Sequence, residues 1–104
     1  MNTALRILLV EDDPMLRLGA SAVLMDAGYS VLEAADADEA IALLETEPDI
    51  RLMISDIQMP GSLDGVKLAH AVRRRWPPIQ VLLTSGRRIP SADELPERVH
   101  YLPK

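Results

Sequence analysis

Five short apolar runs alternate along the chain with segments in which apolar residues recur at helical spacing, and this alternation constrains the fold more than any other feature. The runs have strand length, and their nearly continuous apolar character is typical of strands buried on both faces. Strands alternating with right-handed helical crossovers predict a parallel sheet with helices on both faces. The predicted strands are residues 5–10, 29–34, 51–56, 79–84 and 99–102.

Each of the three predicted helices follows an aspartate that can act as its N-cap. Asp13 is followed by Pro14, and proline is favoured at the first position of a helix. Asp36 has Glu39 three residues later, as in a capping box. Asp64 precedes the third helix. The segment between the fourth and fifth strands is rich in proline and polar residues, and it holds at best one short helix near residues 91–95.

Length and composition describe one ordinary globular domain. The chain has 104 residues, of which 48% are hydrophobic and 26% charged, a typical balance for a single core. Its net charge of −5 argues against direct binding of nucleic acid, which needs a basic face. It contains no cysteine, so disulfides and thiolate sites are excluded. Because no apolar stretch approaches the roughly 20 residues of a membrane span and no signal peptide is evident, we expect a soluble, cytoplasmic protein with no membrane partner.

The third apolar run, LMISDIQMP, ends its strand on a carboxylate, Asp56. Such a residue either caps the next turn or delivers an acid to a site. In open α/β sheets, ligands bind at the carboxyl ends of the strands, so the other strand ends bear on this choice. The polar residues predicted at this edge are Glu11, Asp12, Asp13, Asp56, Thr84, Ser85 and Lys104.

Converging carboxylates at this edge would either be protonated or need a cation. Two carboxylates about 4 Å apart repel by roughly 4 kcal/mol at an effective dielectric near 20. A site made of oxygen ligands suits Mg²⁺ or Mn²⁺, and positions left open can take phosphate oxygens. Thr84 could donate a hydrogen bond to a phosphoryl group and Lys104 could pair with its charge. An aspartate beside such an ion can attack phosphorus and form an aspartyl phosphate.

The same residues resemble a known family. ILLVEDDP, LMISDIQMPGSLDG, VLLTSG and YLPK follow one another in the order and spacing of the receiver domain of two-component response regulators, the CheY-like superfamily. The resemblance covers essentially the whole chain. It implies an α/β, flavodoxin-like (CheY-like) fold with a five-stranded parallel sheet of order 2-1-3-4-5 and helices on both faces.

The resemblance implies a metal site and a phosphorylated residue. Asp56 matches the aspartate that is phosphorylated. Asp12 and Asp13 match the acid pair that holds Mg²⁺ (or Mn²⁺) together with Asp56, with Asp13 the more direct ligand. Gln58 matches the residue whose backbone carbonyl completes the metal site.

The resemblance also implies a switch. Thr84 matches the hydroxyl that turns towards the phosphoryl group, Lys104 the lysine that bridges to it, and Tyr101 an aromatic that moves inward with the threonine. A histidine kinase or histidine phosphotransfer protein would donate the phosphoryl group, and an output domain or a second copy in a homodimer would respond to the switched surface. Slow autodephosphorylation, tuned at Gln58 and Gly86, would return the domain to its resting state.

Residues 1–104 depart from the family at the end of the sequence, because the family usually continues after the residue that matches Lys104 with a fifth helix. The sequence therefore predicts a receiver domain that is incomplete at its C terminus, with one sheet face partly uncovered near the first and fifth strands.

Two other functions compete with the switch. A phosphatase-like enzyme would need a second acidic residue as general acid at position 58, where this sequence has glutamine. A pseudo-receiver that only binds partners should lack at least one member of the set that this sequence retains in full, namely Asp12, Asp13, Asp56, Thr84 and Lys104.

Overall fold

The protein, described here from a computed structural model over residues 5–59, 64–86 and 90–103, forms a five-stranded parallel sheet. The strand order is β2-β1-β3-β4-β5, which confirms the predicted fold class. The strands are β1 (Arg6–Val10), β2 (Ser30–Ala34), β3 (Ile50–Asp56), β4 (Gln80–Ser85) and β5 (Val99–Pro103). The helices are α1 (Pro14–Asp26), α2 (Ala37–Thr46) and α3 (Gly65–Arg75), with one short 3₁₀ turn at Ala92–Glu94.

The predicted strands agree with the observed ones to within one residue at each end. The short helix predicted at 91–95 is a single 3₁₀ turn. The predicted loop MPGSLDG lies partly outside the described residues, at positions 60–63.

The three predicted N-caps are confirmed, and they fix where each helix begins. The Asp13 carboxylate accepts hydrogen bonds from the backbone N–H groups of Met15 and Leu16 at 2.9 and 3.3 Å. Asp36 and Asp64 each accept one from the amide three residues later, both at 2.9 Å. These bonds satisfy donors that have no partner inside the helix.

The main hydrophobic core lies between the sheet and the helices α2 and α3. Leu8, Met53 and Leu83 point to this face from β1, β3 and β4, and all three are fully buried. Leu68 and Val72 of α3 pack against them and are equally inaccessible. Since side chains alternate along a strand, the neighbouring residues of each strand point to the opposite face.

On that opposite face, α1 is the only helix among the described residues, and several polar contacts link it to the sheet. Ser21 is its only buried residue. Arg17 donates to the Glu11 carbonyl at 2.8 Å and pairs with Glu33 of β2 at 3.3 Å. The Ser21 hydroxyl donates to the same Glu33 carboxylate at 3.1 Å.

The apolar side chains of α1 are largely exposed, and so is part of the sheet beyond it. Leu16 is 51% exposed and Val23 69%. Ile7 and Leu9 of β1 are buried, so the prediction of an open face near the first strand is wrong for the described residues, because α1 covers β1. The open part lies towards β5, where Leu102 is 55% exposed.

Candidate functional site

Three carboxylates meet at the carboxyl edge of the sheet. Glu11 and Asp12 follow the end of β1, and Asp56 is the last residue of the adjacent strand β3. Oxygen atoms of these three side chains all lie within 4.8 Å of one another. Glu11 and Asp56 are buried, whereas Asp12 is exposed. Parallel strands place their carboxyl ends together, which explains how acids 44 and 45 residues apart in sequence converge.

The structure places the two members of the predicted acid pair, Asp12 and Asp13, in different surroundings. The structure brings Asp12 and Asp56 together as predicted, but their third partner is Glu11. The Asp13 carboxylate instead points at the start of α1, where two backbone amides bind it. Pro14 begins the helix and so makes the preceding aspartate an N-cap, a signal that was already present in the sequence.

The three carboxylates of this cluster repel one another because they lie close together. Desolvation raises the pKa of Asp12 above its ordinary value, and the hydrogen bond and negative charge of Glu11 and the charge of Asp56 raise it further. A bound cation would reverse this effect. Glu11 is held in place because its carboxylate accepts the Asp13 backbone N–H at 3.1 Å.

The backbone at Asp56 is fixed by close contacts on several sides. The Ser55 hydroxyl donates to the Asp56 carbonyl at 2.9 Å, and the Ile57 N–H donates to the Thr84 carbonyl at 2.9 Å. Gly65, at the start of α3, lies against the same peptide, so that a Cβ atom there would be 2.3 Å from the Asp56 carbonyl oxygen. Glycine is therefore needed at position 65 because two backbones approach each other closely there.

Thr84 lies next to Asp56 on the neighbouring strand. The two residues are register partners in the β3–β4 pair. Both line a cavity of about 300 Å³ between the sheet and α1, whose other walls are mainly apolar side chains. These walls include Leu9, Leu16, Ala20 and Ile54. The predicted hydroxyl thus lies beside the predicted acceptor.

The remaining predicted residues lie around this centre. Tyr101 of β5 is half-buried, and its hydroxyl donates to the Ser85 carbonyl at 3.4 Å. The Gln58 side chain accepts a hydrogen bond from the Ser85 hydroxyl at 3.2 Å, a contact that the sequence did not reveal. Lys104 lies outside the described residues.

Comparison with known proteins identifies the family. The sequence profile of the response regulator receiver domain matches residues 7–95, which is most of the chain. The chain therefore belongs to the response regulator receiver domain family and is a receiver domain of the two-component type. This confirms the resemblance drawn from the motifs.

Individual relatives agree with this assignment. The chain is 40% identical over 83 residues to the response regulator protein FleR of Pseudomonas aeruginosa, covering 80% of this chain and 17% of that protein. It is 36% identical over 81 residues to the sensor kinase CckA of Brucella abortus, covering 77% of this chain and 8% of that protein. The chain thus spans less than a fifth of either relative.

A solved structure bears on the metal. Response regulator TrrA of Thermotoga maritima, in complex with Mg²⁺ and beryllofluoride, superposes with a TM-score of 0.80 at 27% identity, covering 95% of this chain and 85% of that one. In the present protein, three carboxylates within 4.8 Å form an oxygen-only donor set that fits Mg²⁺.

None of the helices in the described parts of the chain is long and apolar enough to cross a bilayer.

Proposed function

We propose that Asp56 is the phosphoryl acceptor of this receiver domain. The observation that carries the proposal is the convergence of the Glu11, Asp12 and Asp56 carboxylates at one sheet edge. An Asp56 oxygen would attack phosphorus of a phosphohistidine, the P–N bond to the donor imidazole would break, and an aspartyl phosphate would form. The close contacts of the Asp56 peptide with Ser55 and Gly65 keep the nucleophile in place.

Glu11, Asp12 and Asp56 would hold Mg²⁺, together with the backbone carbonyl of Gln58. When bound, the ion neutralises the carboxylates and stabilises charge that develops on the transferring phosphoryl group. Glu11 replaces Asp13 in this proposed set, because Asp13 is used by α1. Mn²⁺ would suit the same oxygen ligands.

Thr84 and Tyr101 would act as the switch. The phosphorylated residue adds about −1.5 to −2 charge units at pH 7. Thr84, beside Asp56 in the sheet, would donate its hydroxyl to the phosphoryl group, and Lys104 would pair with the added charge. Movement of Thr84 would be followed by Tyr101, since the Tyr101 hydroxyl binds the carbonyl of Ser85, the residue after Thr84. These contacts favour one of two conformations of the domain.

The partner classes follow from the family. A histidine kinase or a histidine phosphotransfer protein would supply the phosphoryl group in the cytoplasm, and an output domain or a second receiver would respond to the changed surface near β5. The relatives, a sensor kinase and a response regulator, show that receivers of this kind occur in both settings. We propose a switch that hydrolyses only its own phosphoryl group, slowly.

Intact-mass spectrometry after incubation with acetyl phosphate and Mg²⁺ tests this function. The protein should gain the mass of one phosphoryl group, and Asp56→Asn should gain none because the amide is a poor nucleophile. Absence of a mass gain in the unmodified protein, or an equal gain in Asp56→Asn, would refute the proposal.

Two neighbouring acids supply a matched test of the metal set. Asp12→Asn should lose most of the Mg²⁺-dependent mass gain, because it removes one of the three clustered carboxylates. Asp13→Asn should retain it, because asparagine is an equally good N-cap. The reverse result would restore Asp13 to the metal site and remove Asp12.

A further inference from the structure

A buried hydroxyl restrains an exposed amide at the edge of the proposed acceptor site. Gln58 lies two residues after Asp56 and is exposed, whereas Ser85 directly follows Thr84 and is 2% exposed. The Ser85 Oγ–H donates to Gln58 Oε1 at 3.2 Å. The bond joins the loop after β3 to the last residue of β4, and each partner is close in sequence to Asp56 or Thr84.

This bond uses the one atom of Gln58 that could direct water to a phosphoryl group. In hydrolysis of an aspartyl phosphate, a water oxygen forms a bond to phosphorus and the bond from phosphorus to the Asp56 oxygen breaks. Asp56 leaves as a carboxylate, inorganic phosphate is released, and the protons of the water pass to phosphate and solvent. A side-chain carbonyl oxygen near Asp56 could orient the water by accepting one of its protons in a hydrogen bond.

We propose that Ser85 is a positioning residue that prolongs the phosphorylated state by holding Gln58 Oε1 away from the attacking water. The inference rests on the proposed phosphorylation of Asp56. While Ser85 donates to Oε1, the carbonyl oxygen of the amide is occupied and its direction is set by a buried group. When the bond is broken, the exposed side chain of Gln58 is able to turn towards the phosphoryl group.

The size of the effect follows from the strength of one neutral hydrogen bond. Its loss raises the population of released amide about 2- to 10-fold, given the usual net contribution of such a bond. The hydrolysis rate should rise by a similar factor wherever Gln58 orients the water. The rate should not change through Ser85 when the amide is absent.

A double-mutant cycle on the full chain tests the proposal. The wild type, Ser85→Ala, Gln58→Ala and the double variant are phosphorylated with acetyl phosphate and Mg²⁺, the donor is removed, and loss of the phosphoryl mass is followed. Ser85→Ala should decay about 2- to 10-fold faster than the wild type. In the Gln58→Ala background, the same Ser85 substitution should leave the decay rate unchanged.

Several results separate this proposal from its alternatives. Equal decay in wild type and Ser85→Ala overturns it, and so does the same acceleration in both backgrounds, which would show that Ser85 acts without Gln58. If no variant gains a phosphoryl group, the proposed function itself fails. As a second readout, ¹⁵N relaxation of the Gln58 side-chain amide should show greater mobility in Ser85→Ala. Unchanged mobility would also contradict the restraint.

Discussion

The two faces of the sheet are held by different kinds of contact. The face covered by α2 and α3 is a closed apolar core, with Leu8, Met53 and Leu83 inaccessible to solvent. On the other face, α1 is attached through Arg17 and Ser21, which bind polar groups of the strands below. Most of the large apolar residues of α1 stay exposed, among them Leu16 and Val23.

This difference indicates that most of the stability of the described residues comes from one face. Burial of apolar area is the dominant favourable contribution to folding, whereas partly exposed ion pairs and hydrogen bonds contribute little each. The carboxylate cluster lies at the edge where the two faces meet. It is therefore bordered by the apolar core on one side and by the polar contacts of α1 on the other.

Two adjacent leucines of β4 give the largest expected contrast. Leu83 is fully buried against α3, whereas Leu82 points to the other face and is half-buried. Leu83→Ala should lower the free energy of unfolding by about 3 kcal/mol or more, and Leu82→Ala by about 1 kcal/mol, because a cavity forms only where the surroundings are closed. Urea denaturation measures both. Equal losses would contradict the proposed inequality of the faces.

Alanine substitutions of Gly65 in α3 and Gly19 in α1 test the same comparison, because the two helices lie on opposite faces of the sheet. Gly65→Ala places a methyl group 2.3 Å from the Asp56 carbonyl oxygen and should cost about 2 kcal/mol, a typical cost of overpacking, while slowing phosphorylation of Asp56. Gly19→Ala on α1 meets nothing within 4 Å and should add roughly 0.5–1 kcal/mol through helix propensity. Thermal unfolding and the rate of mass gain measure both effects. A neutral Gly65→Ala would mean that α3 can shift freely.

At the shared edge, Asp12→Asn should stabilise the metal-free protein by about 1 kcal/mol, the repulsion of two carboxylates 4 Å apart in a water-like dielectric. The pKa of Asp12 is raised in the folded state, so the folded protein binds this proton more tightly than the unfolded chain does. The cost of the charge is therefore present above the raised pKa and disappears as the pH falls towards the ordinary value.

Thermal unfolding of metal-free samples across this pH range measures the effect. The gain in Tm from Asp12→Asn should be largest at neutral pH and should shrink on acidification. Asp13→Asn is the control, since it keeps an N-cap and should leave Tm nearly unchanged. A gain that persists at the lowest pH would mean that relief of charge repulsion is not its cause.

The smallest effect is expected where α1 meets the sheet. Arg17→Met removes the hydrogen bond to the Glu11 carbonyl and the pair with Glu33, but keeps an apolar stem of similar length. We expect a loss of about 0.5–1 kcal/mol, which should diminish in high salt because the ion pair is screened. Urea denaturation at low and high ionic strength is the measurement. A loss as large as that of Leu83→Ala would overturn the distinction between the faces.

The fold was predictable because several local signals agree. Apolar runs bounded by Asp13, Asp36 and Asp64 located the strands and the helix starts, and the observed caps use these same residues. What the sequence could not separate was the use of three consecutive acids after β1. Glu11 and Asp12 turn towards Asp56, whereas Asp13 is captured by amides of α1, and this outcome depends on where the strand stops and the helix begins.

Contacts between residues far apart in the sequence could not be predicted either. The bond between Ser85 and Gln58 joins residues 27 positions apart, and its geometry depends on how β4 aligns with β3. Gly65 ends the motif LMISDIQMPGSLDG, but the motif does not reveal the close approach of α3 to the Asp56 peptide. The geometry of both contacts depends on how the backbone is placed in three dimensions, which the sequence pattern does not specify.

The strand order also has a consequence for how the chain can fold during its synthesis. β1 pairs with both β2 and β3, so every partner of β1 has been made once residue 56 has emerged. β4 then adds to the free edge of β3, and β5 to that of β4. A three-stranded sheet can therefore form before Thr84 exists, and the strand that places Thr84 beside Asp56 joins this sheet afterwards.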